Sequence, residues 1–309
     1  MFENKVSVII CCYTLERFND IHEAVDSVMS QTLEPHELII AVDHNVELLE
    51  KLKEVLPLNI KIILNEGVKG LSETRNVGIR NATGDIVAFI DDDAVAEKDW
   101  LIHLATPFQD KRVVAVGGMA IPLWHDGGRP AWFPEELDWI VGCTYKGLPL
   151  NGSQIRNVPG CNMAFLKDAF NVTGLWESKI GSIGQSLKGG EEAELCLRIT
   201  EQLSNSIIIW QPNSVINHKV PSTRTTLKWI IKDSFDQGLC KIKLKKLKKR
   251  RVKKSLSTES SYLSYLLFTS IPQRLRWFYK KGNLRQTVVI LMCIVFTGIG
   301  YFMGKTRKV

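Results

Sequence analysis

Ile86-Val87-Ala88-Phe89-Ile90-Asp91-Asp92-Asp93 is the stretch that decides how this 309-residue chain folds. Five apolar residues, entered from the turn pair Gly84-Asp85 and left through three carboxylates, read as a buried strand of a parallel sheet. Ligands of open α/β sheets sit at the carboxyl ends of strands, so the acidic triplet lies where a ligand would lie. Carboxylates this close raise one another's pKa unless a cation neutralises them. Along an extended backbone Asp91 and Asp93 point the same way, which suits two oxygen ligands of one hard divalent ion, Mg2+ or Mn2+. The simpler use of an acidic residue here is a helix N-cap, but a cap needs one such residue and not three.

The segments around this strand repeat its logic. Residues 6–12 and 38–42 read as buried strands, the second ending at Asp43, and residues 60–64 as a third. Residues 20–30 carry Ile21, Ala24, Val25 and Val28 at helical spacing, and residues 72–82 read as a helix opened by a serine cap. Strands alternating with helices predict an α/β fold, Rossmann-like, with a mostly parallel sheet and flanking helices. Residues 100–108 read as helix, 113–116 as strand, 192–201 as helix and 207–210 as a strand before Pro212. Between them, residues 119–160 lose periodicity and carry Trp124, Trp132 and Trp139, the composition of a binding lid.

Charge is unevenly spread. The formal net charge is +7, yet residues 241–254 hold ten Lys or Arg in fourteen and no acid, which leaves −3 for the remainder. The basicity is therefore a local device. Seven cysteines, without metal-ligand or disulfide-framework spacing, read as buried free thiols in a reducing compartment. The glycosylation triplets at Asn81, Asn151 and Asn171 are then idle, and the N-terminus has no signal-peptide layout. Residues 287–304 form eighteen positions without a charge, about 27 Å of helix. Lys280, Lys281 and Arg285 precede them and Lys305, Arg307 and Lys308 follow, so a single transmembrane helix is expected. Residues 226–239 read as an amphipathic helix, and the apolar stretch 262–271 is too short to span and suits an interface. The basic run between them reads as a surface for anionic lipid, not nucleic acid, at about 1 kcal/mol per cation near the membrane.

Several spaced features then fall into one order: the strand from Val6, Asp43, Arg75-Asn76-Val77-Gly78, Gly84-Asp85, Asp91-Asp92-Asp93, Gly160-Cys161-Asn162-Met163-Ala164-Phe165 and Gly189-Gly190-Glu191-Glu192. In this order the chain resembles family 2 glycosyltransferases, inverting enzymes of the GT-A fold, over about residues 5–240. Phe89-Ile90-Asp91-Asp92-Asp93-Ala94-Val95-Ala96, Gly190-Glu191-Glu192-Ala193-Glu194-Leu195 and Asn217-His218-Lys219-Val220 are similar to a narrower group. That group is the archaeal transferases extending dolichyl-phosphate-linked sugars, of the glucosyl-dolichyl phosphate glucuronosyltransferase type.

The resemblance implies roles for individual residues. Asp91 and Asp93 match the carboxylates that hold the cation against the donor diphosphate, with His218 as a third ligand. By itself, His218 after a strand equally suits a structural histidine. Asp92 joins the donor site. Asp43 matches the acceptor of a uracil imino N–H, although Asp43-His44-Asn45 departs from the two acids and Gly-Ser usual in the family and leaves the base open. Asp85 matches a residue near base and ribose and equally suits a turn cap. Arg75 offers a planar fork for a base carbonyl or phosphate, or is a surface helix residue. The general base is a carboxylate near the acceptor hydroxyl, and the family's Glu-Asp pair corresponds to Glu191-Glu192. Glu192 takes the base role, with Glu191 or Glu194 if the register slips; an acidic first helical turn is the structural alternative.

Together these readings predict a GT-A catalytic domain over residues 1–225, an amphipathic and basic juxtamembrane segment over 226–286, a transmembrane helix over 287–304 and a tail over 305–309. The expected partners are a nucleotide sugar, a lipid-linked acceptor and an anionic membrane surface, with the catalytic domain on the cytoplasmic side of the cell membrane. Gln273-Arg274-Leu275-Arg276-Trp277 matches the Gln-X-X-Arg-Trp motif of processive polysaccharide synthases, which makes such a synthase one alternative. An interfacial helix with Trp and Arg at headgroup level explains the same residues without catalysis. The other alternative is a non-catalytic nucleotide-sugar-binding membrane protein.

Overall fold

Alternating buried strands and one-sided helices build the first two-thirds of the chain, as the pattern of residues requires. The computed structural model describes residues 4–125, 128–148, 152–178, 189–247 and 257–306. It divides into two compact units. The first comprises Met1–Ile121, Pro149–Ser186 and Glu191–His218, and the second Pro122–Leu148, Leu187–Gly190 and Lys219–Val309.

The first unit is a mixed α/β sheet with flanking helices. Strands β1 (Val6–Cys12), β2 (Glu37–Asp43), β3 (Lys61–Asn65) and β4 (Ile86–Asp91) alternate with helices α1 (Phe18–Met29), α2 (Val46–Val55) and α3 (Leu71–Asn81). Then follow β5 (Ala94–Ala96), α4 (Trp100–Ala105), β6 (Val113–Trp124), β7 (Asn162–Leu166), α5 (Lys167–Thr173), α6 (Glu191–Gln202) and β8 (Ile207–Val220). The sheet order is β3-β2-β1-β4-β7-β6-β8-β5. The pairs β2·β3, β1·β2 and β1·β4 are parallel, and the pairs β4·β7, β6·β7 and β5·β8 are antiparallel. The α/β GT-A-type architecture expected from the sequence is therefore present.

Its core is the run of apolar side chains on both faces of the parallel strands. Val8, Ile9 and Ile10 of β1 and Ile39 and Ile40 of β2 are fully enclosed, as two-sided burial in a parallel sheet demands. Helix α1 buries Ile21, Ala24, Val25 and Val28, the stripe read from the sequence. On the inner face of α3, by contrast, Thr74, Arg75 and Asn76 are buried polar residues, an early sign that this helix serves a site.

Four sequence readings are corrected. Helix α3 is not opened by a serine cap: Gly70 stands at that position with φ +134°, and Ser72 is buried inside the helix. A side chain at such a φ is strained, and the Gly70 amide is needed to donate to Asp43 Oδ2 at 3.1 Å. The backbone does not stay extended through Asp91-Asp92-Asp93; β4 ends at Asp91 and the next two residues turn into β5. Strand β8 continues through Pro212 to Val220, and β6 runs on to Trp124. Helix α2, strand β7 and helix α5 were not expected; Asn45 caps α2 by accepting from the Leu48 amide at 2.9 Å.

The second unit is helical. A 3-10 helix at Glu135–Val141 is followed by α7 (Leu227–Leu247), α8 (Ser257–Tyr265), a π turn at Leu266–Ser270, α9 (Ile271–Arg276) and α10 (Asn283–Thr306). The aromatic loop expected to serve as a lid clusters here, where Arg129 pairs with Asp138 at 2.6 Å and lies over Trp124. The Arg274 guanidinium donates to both oxygens of buried Glu136 at 2.8 and 2.6 Å. That pairing gives Arg274 a structural task, while Gln273, Arg276 and Trp277 of the synthase-like motif are exposed.

Among the described residues, α10 is the one helix long and apolar enough to cross a membrane. It packs on α7 at backbone range: a Cβ on Gly238 would lie 2.7 Å from the Tyr301 nitrogen, and one on Gly300 3.0 Å from the Phe235 carbonyl carbon. Its opposite face exposes Leu284, Val288, Leu291, Val295, Ile299 and Phe302 in one apolar stripe. Of the basic run 241–254, residues 248–254 lie outside the described residues, as do Asn151 and residues 307–309 of the tail.

Candidate active site

Asp91 stands at the carboxyl end of β4, the position read from the sequence as ligand-facing. What gathers its partners is the pairing of β5 with β8. Ala94 opposes His218 in that ladder, so the turn that carries Asp93 is delivered against the histidine. His218 Nε2 lies 3.3 Å from Asp93 Oδ1 and 3.6 Å from Asp91 Oδ2. One donor atom from each of Asp91, Asp93 and His218 falls within 4.8 Å of the others. His218 and Asp93 are buried, whereas 36% of the Asp91 side chain is exposed, so the cluster opens to solvent on the Asp91 side.

This donor set suits a hard divalent cation. It offers two carboxylate oxygens and one imidazole nitrogen, and Asp93 Oδ1 is buried and accepts no hydrogen bond among the described residues. A buried oxygen aimed into such a cluster without a proton donor is what a cation would satisfy.

Asp92 and Asp93 are held from behind by Arg17, a residue that the sequence reading missed. Arg17 Nη1 meets Asp92 Oδ1 at 2.5 Å and Nη2 meets Asp93 Oδ2 at 2.8 Å. Arg17 lies just beyond the carboxyl end of β1, so the rule that singled out the triplet could have flagged it. Burial still pushes the Asp92 carboxyl up to about 7, against the pull of Arg17 and with Asp93 and Asp91 acting in the same direction.

A second cluster forms where α3 faces the start of α6. Arg75 is buried; its Nη1 donates to Glu192 Oε1 at 3.1 Å and its Nη2 to the Gly160 carbonyl at 3.1 Å. Glu191 Oε1 stands 4.0 Å from the same guanidinium, whose face lies over the Trp176 ring at 4.8 Å. Gly160 arrives because β7 pairs with β4 in a register that sets Asn162 opposite Ile90. Asn162, buried, is itself fixed by Trp100 Nε1 and by the carbonyls of Met119 and Ser214. Burial and the neighbouring Glu192 push the Glu191 carboxyl up to about 7, against Arg75. Asp91 acts electrostatically on both Arg75 and Glu191, which ties the two clusters into one site.

Two residues assigned to the donor have other surroundings. Asp43 ends β2, where Oδ1 accepts from Asn65 Nδ2 at 2.9 Å and Oδ2 from the Gly70 amide. A carboxylate has lone pairs beyond these two bonds, so Asp43 keeps accepting capacity at the strand end. Asp85 is not brought to the site. It precedes β4, six residues before Asp91, so it lies roughly 20 Å away at the amino end of the sheet. There its Oδ2 accepts from the Lys5 amide at 2.8 Å, the turn role that the sequence left open.

Known proteins resemble this chain in sequence and in fold. Residues 7–174 match the family described as "Glycosyl transferase family 2". The glucosyl-dolichyl phosphate glucuronosyltransferase of Haloferax volcanii is 34% identical over 306 residues, covering 97% of this chain and 96% of the relative. A succinoglycan biosynthesis protein of Rhizobium meliloti is 28% identical over 207 residues, covering 65% of this chain and 62% of that protein. Among solved structures, the mannosyltransferase of Pyrobaculum calidifontis in complex with GDP-Man and Mn2+ superposes with a TM-score of 0.62 over 99% of this chain and 89% of that one, at 15% identity. GalNAc-T7 with UDP, GalNAc and Mn2+ gives a TM-score of 0.52 over 70% of this chain and 43% of that one, at 20% identity. At those identities the two structures establish the fold alone. Family match and full-length relative together place the chain in glycosyl transferase family 2, as a glycosyltransferase.

Proposed function

We propose that this enzyme transfers one sugar, with inversion, from a nucleotide-sugar donor to a lipid-linked acceptor of the dolichyl-phosphate-sugar kind. The observation that carries the chemistry is the gathering of Asp91, Asp93 and His218 at the carboxyl end of β4, with a second cluster of Arg75, Glu191 and Glu192 in the same unit. A glucuronosyl donor is the choice supported by the name of the 34% identical relative, and a UDP-linked form of it is our assignment. Asp91, Asp93 and His218 would hold a divalent ion, Mg2+ or Mn2+, which supplies positive charge to the donor diphosphate.

The remaining work falls to the chain's own side chains. Glu192 takes the proton of the acceptor hydroxyl, whose oxygen then attacks the anomeric carbon opposite the leaving group. A carbon–oxygen bond forms on one face of the sugar as the bond to the nucleoside diphosphate breaks on the other, so configuration inverts. Asp43, at the end of β2, receives the imino N–H of the base. Arg17 keeps the two buried aspartates turned toward the donor side.

Membrane attachment follows from the helical unit. The outward stripe of α10 meets lipid, with Lys280, Lys281, Arg285 and Lys305 at its ends against anionic headgroups. The topology in this proposal is a single crossing of the cell membrane with the catalytic unit in the cytoplasm. To test the reaction, purified full-length chain is incubated with a panel of nucleotide sugars and polyprenyl-phosphate-sugar acceptors, beside Glu192→Gln. A single added sugar, lost in the variant, is the expected result. A ladder of products would favour a processive synthase, and transfer undiminished by Glu192→Gln would remove the base from the mechanism.

A further inference from the structure

The guanidinium of Arg75 is fully engaged within the protein. Only 3% of the side chain is exposed, one face lies over Trp176, and its two terminal nitrogens donate to Glu192 and to the Gly160 carbonyl. Glu192 is held correspondingly. Its Oε1 is caught between Arg75 and the Gly160 backbone so closely that a Cβ at position 160 would overlap it. Its Oε2 has no hydrogen bond among the described residues. The glutamate is therefore anchored by one oxygen and open at the other.

We propose that Arg75 is a positioning residue for Glu192 and not a ligand of the donor, and that Glu192 accepts the acceptor proton on Oε2. The inference rests on the assignment of Glu192 as base. With Nη2 fixed on the Gly160 carbonyl and one face on Trp176, the planar fork holds Nη1 at Glu192 Oε1, a geometry that a lysine cannot reproduce. A misplacement of about 1 Å in such a group costs on the order of 100-fold in rate.

The test is steady-state kinetics on full-length Arg75→Lys, Arg75→Met, Glu192→Gln and the Arg75→Met/Glu192→Gln double variant. Arg75→Met is expected to lower kcat on the order of 100-fold with KM for the nucleotide sugar within about two-fold. Arg75→Lys falls between it and wild type, and the double variant is no slower than Glu192→Gln alone. Should Arg75→Met fail to fold, Gly160→Ala, whose Cβ would overlap Glu192 Oε1 and lie 3.3 Å from Arg75 Nη2, disturbs the same anchoring contact and gives the same loss in kcat. A raised donor KM at unchanged kcat, or losses that multiply in the double variant, would overturn the role given to Arg75. Full activity of Glu192→Gln would instead strike the base assignment beneath it, so the two failures are distinguishable.

Discussion

Asp93→Asn isolates what the acidic cluster is for. The substitution keeps the shape of the side chain but removes one negative charge from an oxygen that faces His218 at 3.3 Å and has no proton donor. Two unit charges about 4 Å apart at an effective dielectric constant of about 20 interact by about 4 kcal/mol, which for a bound cation corresponds to a roughly 1000-fold weaker dissociation constant. At free Mn2+ about 100 times the wild-type Kd, wild type gains about 2.7 kcal/mol of stability, and the variant gains less than about 0.1 kcal/mol. For a unit of 150–250 residues this is a metal-dependent rise in Tm of roughly 5–10 °C in wild type and none in the variant. Because Asp93→Asn also weakens the 2.8 Å pairing with Arg17 Nη2, each protein is compared with its own metal-free Tm. Scanning calorimetry across a Mn2+ titration reads both quantities. An Asp93→Asn protein that folds and shows the wild-type Mn2+ shift would refute the reasoning.

Three further outcomes are expected. Glu191, pushed up by burial to about 7 from its ordinary 4.5, binds more protons folded than unfolded between those values. It therefore costs stability as pH rises, by about 1.4 kcal/mol per unit, and Glu191→Gln should be more stable than wild type at pH 8 and level with it at pH 4, read by denaturant midpoints. Arg274→Met leaves the carboxylate of Glu136 buried without its cation, which should lower stability by about 3–5 kcal/mol in the same measurement; an unchanged midpoint would dismiss the pair. Val295→Lys with Ile299→Lys places two charges on the outward stripe of α10, each costing about 3 kcal/mol in hydrocarbon, and should release the enzyme from anionic vesicles in a flotation assay. Equal flotation would mean that the stripe does not meet lipid, and a C-terminal tag on the same side as the catalytic unit would contradict a single crossing.

Much of this was legible one residue at a time. The strand from Ile86, the stripe on α1, the ligand-facing place of Asp91 and the apolar run of α10 follow from local periodicity, which depends on neighbours in sequence. The family order brought Glu192 and His218 into view as well. What periodicity could not show is register. His218 joins Asp93 only because Ala94 opposes it across β5 and β8, and Gly160 meets Glu192 only because β7 runs antiparallel to β4. Arg17 escaped notice because only its place beyond the carboxyl end of β1, and no local pattern, pointed to it, and Asp85 was left between two roles because motif order does not say at which end of a strand a residue falls. For α10, hydropathy showed length but not that Thr287, Ile290, Cys293, Gly300 and Gly304 are turned inward, several of them against α7. Only part of its circumference is left exposed.

The central claim is that Asp91, Asp93 and His218 jointly hold a cation against the diphosphate of the donor. Anomalous diffraction at the manganese edge, from crystals of the full chain grown with Mn2+ and a nucleoside diphosphate, tests it most directly. One anomalous peak within coordination distance of all three side chains and of the diphosphate oxygens is the expected result. A bound nucleotide with no peak there, or with manganese held by other residues, would contradict the account.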